Sequence, residues 1–125
     1  MTSEAGVPPD FGALPEEAVA REPDGLVRAP GNGALTPEER HAAPGLFRAL
    51  LAGHLLHELG EKNAGKILRA VRVALETEPL LHVEALALLD GKTHKPVEKK
   101  VRGPVILAAV VKIGSVFLTD SVRFG

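Results

Sequence analysis

The spacing of apolar residues changes along the chain, and the changes divide it into regions. Residues 1–20 carry Pro8, Pro9 and Pro15 among glycines and acidic residues, with no periodic apolar pattern, so a flexible lead-in is expected there. Residues 21–35 are turn-rich, with Pro23-Asp24-Gly25 and Pro30-Gly31-Asn32-Gly33, and read as one long loop. A helical period begins at Thr36. The run Thr36-Pro37-Glu38-Glu39 supplies an N-cap oxygen, a proline where no N–H is needed, and a glutamate that closes a capping box. Phe47, Leu50, Leu51, His54 and Leu55 follow at helical spacing, and Gly60 suits the C-cap. Pro44 predicts a kink there, or a break into two helices. A second helix is expected from Asn63 to Glu78, with Ile67, Leu68, Val71, Ala74 and Leu75 on one face and Pro79 ending it.

Beyond Pro79 the period shortens. Leu81 to Leu89 is apolar apart from His82 and Glu84, and Asp90-Gly91 follows as a turn. A strand or a short helix fits this run, and the turn favours the strand. Val105 to Lys112 is β-branched and apolar, Ile113-Gly114-Ser115 breaks it, and Val116 to Val122 resumes, which reads as a β-hairpin. The order helix, helix, strand, strand, strand predicts an α+β fold with helices packed on one face of a small antiparallel sheet.

Composition narrows the possible functions. A chain of 125 residues makes one domain, and its only aromatics are four Phe, so Leu, Val, Ile and Ala must build the core. The formal net charge of -1 leaves no basic excess for nucleic acid. A short basic stretch, Lys92, Lys95, Lys99, Lys100 and Arg102, is interrupted by Glu98 and has no aromatic for base stacking; it reads as a solvated hairpin edge. There is no cysteine, which removes disulfides, thiolate metal sites and a Cys nucleophile. The run from Val105 to Val111 is too short to cross a bilayer, and no signal pattern opens the sequence, so a cytoplasmic protein is expected.

Candidate chemistry is sparse. His54 and His57 could face one metal, but no further ligands are assembled beside them, and a packed histidine is the commoner outcome on an apolar helix face. Ser3, Ser115 and Ser121 sit in no nucleophile elbow, and the glycines around Asn32 form no phosphate loop with a following lysine. The carboxylate pairs Glu38 with Glu39 and Glu76 with Glu78 suit helix ends.

One run of residues carries more information. Arg21-Glu22-Pro23-Asp24-Gly25-Leu26, then Asn32, then Leu35-Thr36-Pro37-Glu38-Glu39-Arg40 resembles the pantoate–β-alanine ligase family. There a similar Arg-Glu-x-Asp-Gly-Leu run leads through Met-Ser-Ser-Arg-Asn into a Tyr-Leu-Ser-Pro-Glu-Glu-Arg helix start. The likeness resumes at Asp90, Lys95-Pro96-Val97-Glu98, Gly103-Pro104, and Gly114 with Leu118 and Asp120. The resemblance implies the C-terminal lid domain of a class I adenylate-forming ligase. Such a ligase condenses pantoate with β-alanine through a pantoyl-adenylate, using ATP with magnesium. It assigns residues 21–35 to a nucleotide-loop region, with Arg28, Ala29, Pro30, Gly31 and Asn32 as the nucleotide-binding positions, and residues 36–125 to the lid itself.

This sequence departs from the family where phosphate would be held. Arg28-Ala29-Pro30-Gly31 stands in place of Met-Ser-Ser-Arg, which removes two hydroxyls and an arginine, and Pro30 removes a backbone donor. Asn32 is the one position expected to keep its role. Asp24 either shapes the approach to the loop or is a plain turn residue. Near the C-terminus, Gly114-Ser115-Val116-Phe117-Leu118-Thr119-Asp120-Ser121 replaces a Gly-x-Thr-Arg-Leu-Ile-Asp-Asn pattern and loses an arginine. The His-x-Gly-His nucleotide signature of the family's N-terminal domain is not found, so no catalysis is expected from this chain alone. Pantoate, β-alanine and ATP are partners only if an N-terminal catalytic half joins it, and a monomer or weak dimer is expected. A lid half of a split ligase and a non-catalytic α+β interaction module are the alternatives.

Overall fold

The structure is a computed structural model that describes Phe11 and residues 19–125. Most of the expected lead-in over residues 1–20 lies outside the described residues. The chain enters through an isolated antiparallel bridge between Arg21 and Val27, around a turn at Pro23-Asp24-Gly25. A 3₁₀ helix spans Pro30–Ala34. Three α-helices follow, α1 (Pro37–Ala42), α2 (Gly45–Glu58) and α3 (Ala64–Glu76), then three strands, β1 (His82–Asp90), β2 (Val105–Ile113) and β3 (Val116–Phe124). The sheet is antiparallel in the order β1-β2-β3. The expected α+β architecture is what the chain adopts.

Local signals account for the helix boundaries. Thr36 Oγ1 accepts from the Glu39 N–H at 3.1 Å, and Glu39 Oε1 accepts from the Thr36 N–H at 2.9 Å, a complete capping box. Pro44 divides the first helical run. It has no N–H to continue α1 and serves instead as the N-cap of α2. Asn63 caps α3, its Oδ1 accepting from the Lys66 N–H at 3.0 Å.

The buried face of α2 differs from the one its spacing suggests. Leu46, Ala49, Leu50, Gly53 and His57 face inward, while Leu55 is 60% exposed. This helix is apolar nearly all round, so periodicity alone does not select a face. Gly53 selects it. A Cβ there would lie 2.6 Å from Val71 Cγ2 and 2.8 Å from Leu107 Cδ2, so only glycine lets α2 approach α3 and the sheet this closely. On α3, Ile67, Val71 and Leu75 of the expected face are fully buried.

The central strand is buried on both sides. Val105, Leu107, Ala109, Val111 and Ile113 join the main core with residues of α2 and α3. Ile106 and Ala108 form a second cluster with Ala87 and Leu89 of β1, against which Phe11 packs. A strand apolar at nearly every position, as β2 is, reflects burial on two faces. The β1–β2 connection, residues 91–104, first folds back along β1, where the Val97 N–H donates to the Leu88 carbonyl at 2.8 Å. It then pairs with the α2–α3 loop, where the Val101 N–H donates to the Lys62 carbonyl at 2.8 Å.

Candidate functional site

The candidate loop is tied to the sheet by one arginine. The Arg21 guanidinium makes a two-pronged pair with Asp120 on β3, Nη1 to Oδ2 at 2.6 Å and Nη2 to Oδ1 at 2.8 Å. It also donates to the Gly25 carbonyl at 3.1 Å and the Ser121 carbonyl at 3.2 Å, and lies 3.8 Å over the centre of the Phe47 ring on α2. A planar, forked cation suits all of these partners at once. Burial pushes the Asp120 carboxyl above its ordinary value, and Arg21 pulls it back only in part. The Asp120 side chain is 1% exposed, so its charge depends on that partner.

Inside the clamp, the chain folds back on itself. Gly25 takes φ +95°, and a Cβ there would run into the Phe47 ring, so both backbone and space call for glycine. Asp24 accepts from the Leu26 N–H at 3.3 Å, which shapes the turn, and from Arg40 of α1 at 2.7 and 3.2 Å. The Arg40 hydrogen bond holds the Asp24 carboxyl below its ordinary value. Leu26 and Val27 then point into the core.

Arg28, Ala29, Pro30, Gly31 and Asn32 are brought together on this frame, with differing surroundings. Arg28 is exposed and its Nε lies 3.1 Å from Glu22 Oε2, so its charge is already paired. Pro30 opens the 3₁₀ helix, and Gly31 sits where a Cβ would be 2.9 Å from Val116 of β3. Asn32 turns inward. Its Nδ2 donates to the Val27 carbonyl at 2.9 Å, while Oδ1 is buried and has no partner among the described residues. The five positions therefore present one cation, which is ion-paired, and no hydroxyl. That donor set does not fit a magnesium-bound triphosphate, which needs several free donors converging on its oxygens.

The two histidines on α2 are packed side chains. His54 stacks on Phe124 with centroids 5.0 Å apart, and His57 lies 5.1 Å from the same ring. Lys62 Nζ donates to His57 Nε2 at 3.3 Å, occupying the lone pair a metal would use. Among the described residues no group of three or more His, Cys, Asp or Glu could hold a metal ion, and no helix is long and apolar enough to cross a membrane.

The pairing of Arg21 with Asp120 is the feature that sequence reasoning missed. The partners lie 99 positions apart, and no local pattern couples them. One signal was present: both residues fall inside the segments that resemble the ligase family.

Comparison with known proteins agrees with that resemblance. The sequence model described as pantoate-beta-alanine ligase matches residues 13–123. A pantothenate synthetase of Moorella thermoacetica is 39% identical over 102 residues, which are 82% of this chain and 36% of that protein. One from Roseiflexus castenholzii is 32% identical over 121 residues, 97% of this chain and 42% of that protein. A crystal structure of the Thermus thermophilus pantothenate synthetase superposes with a TM-score of 0.76 at 32% identity, covering 83% of this chain and 37% of that one. This chain thus spans about two-fifths of the length of these relatives. With its α+β fold and its 13–123 match, the chain belongs to the pantoate–beta-alanine ligase family, in the part that corresponds to the C-terminal domain.

Proposed function

We infer that residues 36–125 are the lid of a pantoate–β-alanine ligase and that residues 21–35 are its altered nucleotide-loop region. The whole reaction joins pantoate to β-alanine through a pantoyl-adenylate at the expense of ATP. In this reading the lid's part is to close over a separate catalytic domain and exclude water from it. The observation that carries the reading is the loop itself. It is clamped to the sheet by Arg21 and Asp120, yet its five nucleotide positions offer only an ion-paired Arg28 and an inward-turned Asn32. Presentation is kept, while the groups that would meet phosphate are not.

It follows that this 125-residue chain makes no pantothenate alone, and that ATP and magnesium do not bind tightly to it. It is monomeric or weakly dimeric, and works in the cytoplasm. The same loop favours a second reading, an α+β module used for binding without catalysis. One experiment separates them. The chain is mixed with the isolated N-terminal half of a family ligase, and pantothenate is measured from pantoate, β-alanine and ATP. A second version carries Met-Ser-Ser-Arg in place of Arg28 to Gly31. A gain over the N-terminal half with the repaired version alone supports an inactive lid on an intact scaffold. A gain with the native chain would make it the lid of a split ligase. No gain with either would favour the binding module.

A further inference from the structure

The far end of the domain carries charge of a different kind. Residues 90–105 surround a cleft of about 540 Å³, within the size range of small-ligand sites. Lys92, Lys95, Lys100 and Arg102 line it, and none of the ion pairs among the described residues involves any of the four. Among the described residues the only acid in the wall is Asp90. Its Oδ1 is occupied by the backbone N–H groups of Lys92 at 2.8 Å and Thr93 at 2.9 Å, which also hold its carboxyl below the ordinary value. Four cations thus face one carboxylate already engaged with the backbone. The sequence suggested a solvated hairpin edge; these cations are exposed, and folding back along β1 and against the α2–α3 loop draws four of the five around one space.

This cleft is separate from the 28–32 loop. Gly31 of the loop abuts Val116, whereas the cleft meets the other end of β3, where Val105 pairs with Phe124. The eight steps from Val116 to Phe124 at about 3.3 Å each separate the two by roughly 26 Å.

We propose that the cleft lined by Lys92, Lys95, Lys100 and Arg102 binds a compact phosphate-bearing anion of two or more negative charges. Charge and size select the ligand. A surplus of cations in a concave wall favours a multivalent anion over chloride or a single carboxylate. Among the described residues the wall contains no aromatic ring on which a base could stack, which disfavours a single-stranded nucleic acid. The inference is independent of any role in ligation, because it rests on residues remote from the loop.

The test is an amide NMR titration of the full 125-residue chain with inorganic pyrophosphate, beside sodium chloride at matched ionic strength. Saturable shifts confined to residues 90–95 and 100–104 are expected. The double variant Lys100→Gln, Arg102→Gln should bind at least about tenfold more weakly, and Lys112→Gln should bind as the parent does. These side chains are exposed, and an unchanged circular dichroism spectrum confirms that each variant is folded. Shifts no larger than those with chloride would overturn the proposal. So would shifts centred on Arg28 to Asn32, or an oligonucleotide that binds the same face more tightly than pyrophosphate does.

Discussion

The loop region and the cleft treat charge in opposite ways. At the loop end, Arg21 meets Asp120, Arg40 meets Asp24 and Arg28 meets Glu22, so every arginine from 21 to 40 has a carboxylate. At the cleft end, Lys92, Lys95, Lys100 and Arg102 have none among the described residues. Paired charges fix backbone segments to one another. Unpaired ones, left in a concave wall, contribute little to holding the fold and stay free for a ligand. Charge at the first end is therefore structural, and charge at the second is surplus to structure.

The sharpest way to break this contrast is at Asp120. Asp120→Ala leaves the Arg21 guanidinium, 17% exposed, without its partner, and should cost about 3 kcal/mol in urea unfolding. Gly25→Ala comes next, because a side chain at φ +95° is strained and meets Phe47; a loss of about 2 kcal/mol is expected. Arg21→Lys keeps the charge and loses the fork, and should cost about 1 kcal/mol by the same measurement. At the other end, Lys100→Gln with Arg102→Gln should leave stability within about 0.5 kcal/mol of the parent. A large loss there would mean that these cations also hold the fold, and the contrast would fail.

The smallest effect is in the pH dependence set by Asp24. The Asp24 carboxyl lies below its ordinary value, so its pairing with Arg40 stabilises the fold above about pH 4 and is lost as pH falls through the folded value. The stability difference between the parent and Asp24→Asn should accordingly open as pH rises past about 4 and close in stronger acid.

The parts of this architecture that were legible in sequence are those set by neighbouring residues. The capping box at Thr36 and Glu39, the break at Pro44 and the start of a helix near Asn63 each need only a few consecutive positions. The β2–β3 hairpin was legible from its apolar, β-branched runs and β1 from the Asp90-Gly91 turn after it, though β1 and β3 reach Asp90 and Phe124 rather than stopping at Leu89 and Val122, and α3 ends at Glu76 rather than Glu78. The buried face of α2 was not legible, since a glycine at position 53 gives no hydrophobic signal yet marks the closest approach. Residues 21–35 read as a loop because turn-formers dominate them; the bridge from Arg21 to Val27 depends on Asp120, far along the chain. The candidate positions Arg28 to Asn32 came from resemblance, and only the fold shows which way Asn32 turns. The cations of the cleft were visible as a stretch, but their convergence follows from the path of the connection across β1 and the α2–α3 loop.

The Arg21–Asp120 pair also bears on how the domain forms. Its partners are 99 positions apart, and the entropic cost of closing a loop grows with the length enclosed. The helices and the β2–β3 hairpin are assembled from much nearer neighbours, so this contact belongs to the late, native side of the folding barrier. Weakening it should then leave the refolding rate nearly unchanged and raise the unfolding rate by almost the whole loss in stability. The clamp that presents the loop would act as a latch, fastened last and governing how long the folded domain persists.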